Sequence, residues 1–134
     1  MFKHALFAVV MLSVFAGCGK AKKVSAGGGS ADVTALGDLS EFKKIAEDTL
    51  AIVEKKDMAA AKIRIKDLEK AWDDAEAAMR PKSETAWTSV DKAIDHALAA
   101  VRADNPNPEE CALKLKTVMV RMTPKAPAAD APAK

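Results

Sequence analysis

The sequence predicts an all-α domain, and three observations carry that expectation. Apolar residues recur every three or four positions in four separate stretches between Leu39 and Met122. The breaks between the stretches hold helix punctuation: Asp57, then Pro81 with Ser83, then Asn105-Pro106-Asn107-Pro108. Aromatic residues make up only 4% of the chain and Tyr is absent, a composition that disfavours sheets rich in aromatic and β-branched strands. A chain of 134 residues has room for one small core with flanking segments. Short connections between successive helices favour antiparallel neighbours, so an up-down four-helix bundle over residues 37–123 is the economical arrangement. A three-helix bundle with a loosely packed fourth helix is its rival.

The first helix is expected from about Leu39 to Lys55, with Asp38 as its cap and Glu41 three residues on, as in a capping box. Leu39, Phe42, Ile45, Ala46, Leu50 and Val53 form its apolar stripe. The second follows Asp57 and stops at Arg80, before Pro81. Its seam of Met58, Ala61, Ile65, Leu68, Trp72, Ala75 and Met79 alternates spacings of three and four, the strongest structural signal in the chain. The third starts after Ser83 and runs to about Ala103, burying Trp87, Val90, Ile94, Ala97, Leu98 and Val101. Asn107 then caps a fourth, with Pro108 suited to the first helical position and Glu110 completing a capping box. Cys111, Leu115, Val118, Met119 and Met122 lie on one side of it. Leu113 and Val120 project oppositely, and Ile63 lies off the stripe of the second helix. These three are the candidate contacts for a partner.

The flanks read differently. Met1-Phe2-Lys3-His4 is a short basic start, and Ala5 to Ala16 is an apolar run softened only by Ser13. As a helix that run spans about 18 Å, short of a hydrocarbon core of about 30 Å, so residues 1–17 are expected to be a secretory signal peptide rather than a membrane span. Residues 18–36 read as a flexible tether because of Ala26-Gly27-Gly28-Gly29-Ser30-Ala31. Residues 124–134, a Pro/Ala tail, are expected to be disordered.

Phe15-Ala16-Gly17-Cys18 resembles the lipobox of bacterial lipoproteins, with Phe15 where that family most often has Leu. The resemblance implies that Cys18 is lipidated and becomes the new N-terminus. It further implies an exported protein anchored to a membrane and facing the periplasm. Gly19 is not the aspartate that resembles an inner-membrane retention signal, which favours the outer membrane. Burial of acyl chains stabilises such an anchor by about 0.8 kcal/mol per CH₂. Lys20, Lys22 and Lys23 then stand beside the headgroups, either attracting an anionic surface or merely keeping the tether soluble. A second resemblance covers about Leu50 to Val101. The pattern Leu68-Glu69-Lys70-Ala71-Trp72-Asp73-Asp74-Ala75, followed by Trp87, Val90-Asp91 and Ile94-Asp95, is similar to a helical domain of bacterial extracytoplasmic proteins. It implies a helical hairpin and attaches no activity.

Charge and chemistry exclude more than they select. The 21 basic and 19 acidic residues nearly cancel, which disfavours a nucleic-acid partner recruited by a strong positive field. Removing the segment before Cys18 takes away one basic residue, Lys3, and leaves 20 against 19. No H-E-x-x-H, C-x-x-C or G-x-S-x-G motif occurs, and Ala93 stands three residues before His96, so the Glu-x-x-His pair of di-iron bundles is missing. No catalytic role and no cofactor beyond the lipid on Cys18 is expected. Cys111 falls on an apolar stripe and reads as a small core residue, although Lys114 nearby would favour a thiolate.

Two tryptophans and several acids remain. Counting from the turn near Pro81 sets Trp72 beside Ala93 or Ile94 and Trp87 beside Ala75 or Met79, large against small. Asp91 borders the core on a helical wheel and needs a donor, either a Trp N–H or a lysine. A sharper alternative has Asp91 and Asp95, with Asp73 or Asp74 across the hairpin, coordinating a hard divalent cation. Neighbouring Lys66, Lys70, Lys82 and Lys92 can instead neutralise these acids in pairs. The functional expectation is therefore a non-enzymatic envelope lipoprotein acting as an interaction or structural module. A divalent-cation or small-ligand binding module is the alternative.

Overall fold

Three side chains start three of the helices by accepting hydrogen bonds that the first turn would leave unmade. Asp57 accepts from the Ala60 N–H, Ser83 from the Ala86 N–H, and Asn107 from the N–H groups of Glu109 and Glu110. In the computed structural model, which describes residues 32–125, four α-helices result: α1 (Ser40–Glu54), α2 (Met58–Met79), α3 (Glu84–Arg102) and α4 (Pro108–Arg121). The described residues contain no strand. Asp38 behaves differently from a capping-box residue, since its carboxylate takes the N–H of Ser40 two positions on, an Asx turn that feeds α1. The segments expected to be a signal peptide and a tether up to Ala31, the expected lipidation site Cys18, and the expected tail from Ala126 lie outside the described residues.

The last residues of the expected tether belong instead to the fold. Val33–Leu36, assigned to it from sequence, form a 3-10 turn capped by Asp32, with Val33 and Leu36 buried. The reason is local. Asp32 accepts from the Thr34 N–H, and the three-residue spacing turns both apolar side chains to one side. Gly37 ends the turn at φ +93°, donates its N–H to the Thr34 carbonyl, and lets the chain reverse into α1.

One core unites the elements. The seam of α2 is buried at Ala61, Ile65, Leu68 and Trp72, while Met58, Ala75 and Met79 flank it half-buried. Its partners are Phe42, Ile45, Ala46 and Val53 of α1, Val90, Ile94, Ala97 and Val101 of α3, and Cys111, Leu115 and Val118 of α4. Thr49 joins this core because its hydroxyl donates back to the Ile45 carbonyl at 2.8 Å. α1 packs on α2 and α4, and α3 packs on α2 and α4. The fourth helix is thus seated on two neighbours.

Between α1 and α2, Lys56 adopts φ +62°. Its N–H donates to the Val53 carbonyl at 2.8 Å, and that of Asp57 to the Ile52 carbonyl at 3.3 Å, a Schellman closure with lysine in the place glycine favours. At the opposite end, Val33 and Gly37 share a hollow with Met122 and Pro124, and Lys43 Nζ donates to Thr123 Oγ1 at 3.2 Å. The chain therefore enters and leaves the fold at one pole. Among the described residues no helix is long and apolar enough to cross a membrane.

Candidate functional site

Trp72 organises the α2–α3 seam. Its indole stacks on that of Trp87 with ring centroids 3.9 Å apart and planes 10° from parallel, and Phe42 meets it edge-on at 5.3 Å. The expected pairing of each tryptophan with small residues is therefore corrected: the two indoles face each other. Counting from a turn compares Cα positions, whereas an indole reaches well beyond its own Cα along the helix. Nε1–H of Trp72 donates to Asp91 Oδ1 at 3.1 Å, the donor that a core-bordering carboxylate required.

The remaining candidate acids do not join Asp91. Asp74 is held by Lys70 one helical turn back, Asp95 is exposed, and Asp73 lines a shallow hollow with Glu76, Arg80 and Glu84. In that hollow Arg80 bridges Glu76 at 2.7 Å and Glu84 at 3.2 Å. Among the described residues no three His, Cys, Asp or Glu side chains converge as a metal ion would need. The geometric reason is that Asp91 is turned inward to the indole while its would-be partners sit on outward faces or in ion pairs.

Other charges tie helices together. Arg64 of α2 reaches Asp48 of α1 at 2.9 Å and Asp67 at 2.8 Å. Arg102 of α3 grips Glu69 of α2, one of its nitrogens donating at 3.0 Å, and this hydrogen bond holds the Glu69 carboxyl below its ordinary value. Cys111 is a buried free thiol, and burial, then the charge of Glu110, push its pKa up. The thiol is fully enclosed among apolar neighbours, as a small residue of the core.

The three expected partner contacts all reach solvent. Ile63 is 69% exposed, Leu113 62% and Val120 67%, the most exposed large apolar residues of the described chain. Leu113 and Val120 stand two turns apart on one face of α4, whereas Ile63 belongs to α2, which does not adjoin α4 in the main helix pairings. They make one pair and one isolated residue.

A groove of about 670 Å³, which neither helix announces alone, lies between α3 and α4. Thr85, Thr88, Ser89, Lys92 and His96 line its α3 wall, and Thr117 and Arg121 line the other. Arg121 Nη1 donates to Ser89 Oγ at 3.5 Å across it. A signal existed: Thr85, Ser89, Lys92 and His96 recur at helical spacing on the polar side of the third stretch. Comparison with protein families, with curated proteins and with solved structures finds no match.

Proposed function

We propose that the protein is a small lipoprotein of the bacterial envelope, anchored through lipid on Cys18, exported to face the periplasm and held at a membrane, with the outer membrane favoured. Its folded part acts as a non-enzymatic interaction module in which the helices run up and down as an antiparallel four-helix bundle. Ion pairs and hydrogen bonds support that course of the chain. Asp48 and Arg64 stand equally far on either side of Lys56, and Ser89 and Arg121 equally far from Asn105. Trp72 and Asp91 likewise straddle the Pro81–Lys82 turn symmetrically.

The observation that carries the interaction role is the pair Leu113 and Val120, about two-thirds exposed on one face of α4 although the core beneath has its own full set of apolar residues. Exposed apolar side chains aligned on one face gain from being covered by a partner. The test is crosslinking in the envelope with wild type and a Leu113→Lys, Val120→Lys double variant, whose changes lie at the surface and spare the fold. Loss of specific crosslinked partners in the variant supports the surface. An identical partner set removes it. The anchor is read separately by acyl-label incorporation, which the proposal requires to vanish on Cys18→Ser.

A further inference from the structure

We propose that the furrow between α3 and α4 is a binding site for phosphate-bearing ligands. Two hollows that share His96 make up this furrow, one of about 670 Å³ and one of about 340 Å³ that continues past Ala99 and Ala103 to Asn107. Carboxylates border it only at its two extremities, Glu84 and Glu110, and Glu84 is drawn toward Arg80. Between them stand Arg121, Lys92, Lys114 and His96. None of these four takes part in an ion pair among the described residues, whereas Arg64, Arg80 and Arg102 each grip at least one carboxylate.

Of the four arginines among the described residues Arg121 is the one outside an ion pair, and with Lys92 and Lys114 along the same hollow it offers an anion site there. The residue types choose among anions. An arginine fork matches two oxygens of a tetrahedral phosphate, and a lysine supplies a point charge to a third. The hydroxyls of Thr85, Thr88 and Ser89 stand on the same wall as donors for phosphoryl or polyol oxygens. The long 3.5 Å hydrogen bond from Arg121 to Ser89 directs the guanidinium toward the groove. This site is separate from the Leu113 and Val120 face and does not depend on the envelope reading.

Titration of the isotope-labelled full chain, followed by amide and imidazole chemical shifts at constant ionic strength, tests the assignment. The probes are inorganic pyrophosphate, dihexanoyl phosphatidylglycerol below micelle concentration, and dihexanoyl phosphatidylcholine with sodium chloride as controls. The expected result is saturable shifts confined to Ser89, Lys92, His96, Thr117 and Arg121 with one or both anionic phosphates. A Lys92→Gln, Arg121→Gln variant is expected to weaken binding roughly ten-fold or more, while Lys116→Gln, outside the furrow, leaves it unchanged. Pyrophosphate binding alone identifies a free phosphate ligand, and phosphatidylglycerol binding that exceeds it identifies a lipid headgroup. Absence of saturable shifts with both, equal shifts with the controls, or equal affinity in the double variant overturns the proposal. Amide spectra of each variant confirm that the fold is retained.

Discussion

Asp91 shows how one carboxylate can be read as a ligand or as a structural acceptor, and how geometry decides. Its Oδ1 takes the hydrogen of an indole that is itself 1% exposed, so the bond satisfies a donor that water does not reach. Deleting the acceptor leaves that donor buried and unpaired, which costs about 1–3 kcal/mol, whereas an amide retains a carbonyl oxygen in the same place. Asp91→Ala is accordingly expected to lower the urea-unfolding free energy by about that amount, and Asp91→Asn by clearly less. The stacked indoles give a second readout, since their near-ultraviolet circular dichroism should weaken in the alanine variant. Equal losses in the two variants would mean that the negative charge, not the acceptor, matters. Thr49 makes the same point from the other side. It escaped notice in the sequence because threonine counts as polar, yet its hydroxyl is satisfied within its own helix and leaves the methyl free to pack.

At the level of elements, the caps and stripes were legible because they are local. Asp57, Ser83 and Asn107 announce helices three residues or fewer ahead, and the seam from Ala61 to Trp72 names its own buried face. What escaped was non-local or short. Val33–Leu36 buries only two apolar residues, too few for a period, and only the rest of the core gives them somewhere to go. The α3–α4 furrow needs two helices at once, so neither polar face reveals it alone. Lys56 also went unread, since nothing in a lysine suggests a left-handed backbone. Holding a side chain at φ +62° costs on the order of 1 kcal/mol relative to glycine in the same turn. Lys56→Gly is therefore expected to stabilise the protein by up to about 1 kcal/mol, read as a rise in melting midpoint. A fall would show that the glycine loses more in the unfolded chain than the turn regains.

For the whole molecule, acid is the condition that should loosen it. Hydrogen bonds from Arg102 to Glu69, from Arg64 to Asp48, from the Ser40 backbone to Asp38 and from Thr34 to Asp32 all hold carboxyls below their ordinary values. A carboxyl with a lowered folded pKa contributes stability that is full above its unfolded value, 4.5 for Glu69, and is lost as pH falls through the folded value. Two of the pairs join different helices, so their protonation relaxes α1 from α2 and α2 from α3. Stability is expected to be flat near neutrality and to decline below about pH 4.5. In a Glu69→Gln variant the deficit relative to wild type should be present at about pH 7 and close at about pH 3, measured by urea titration at each pH. A deficit that persists undiminished in acid would assign the effect to packing rather than charge.

The shared pole at which Val33 and Gly37 meet Met122 and Pro124 has a mechanical corollary. Tension applied between positions 32 and 125 pulls across the bundle at one end instead of along its length. Helix contacts then separate turn by turn, like teeth of a zipper, beginning with the Lys43–Thr123 bond. Such loading opens a helical protein at a lower force than shear, in which whole helices must be dragged past one another.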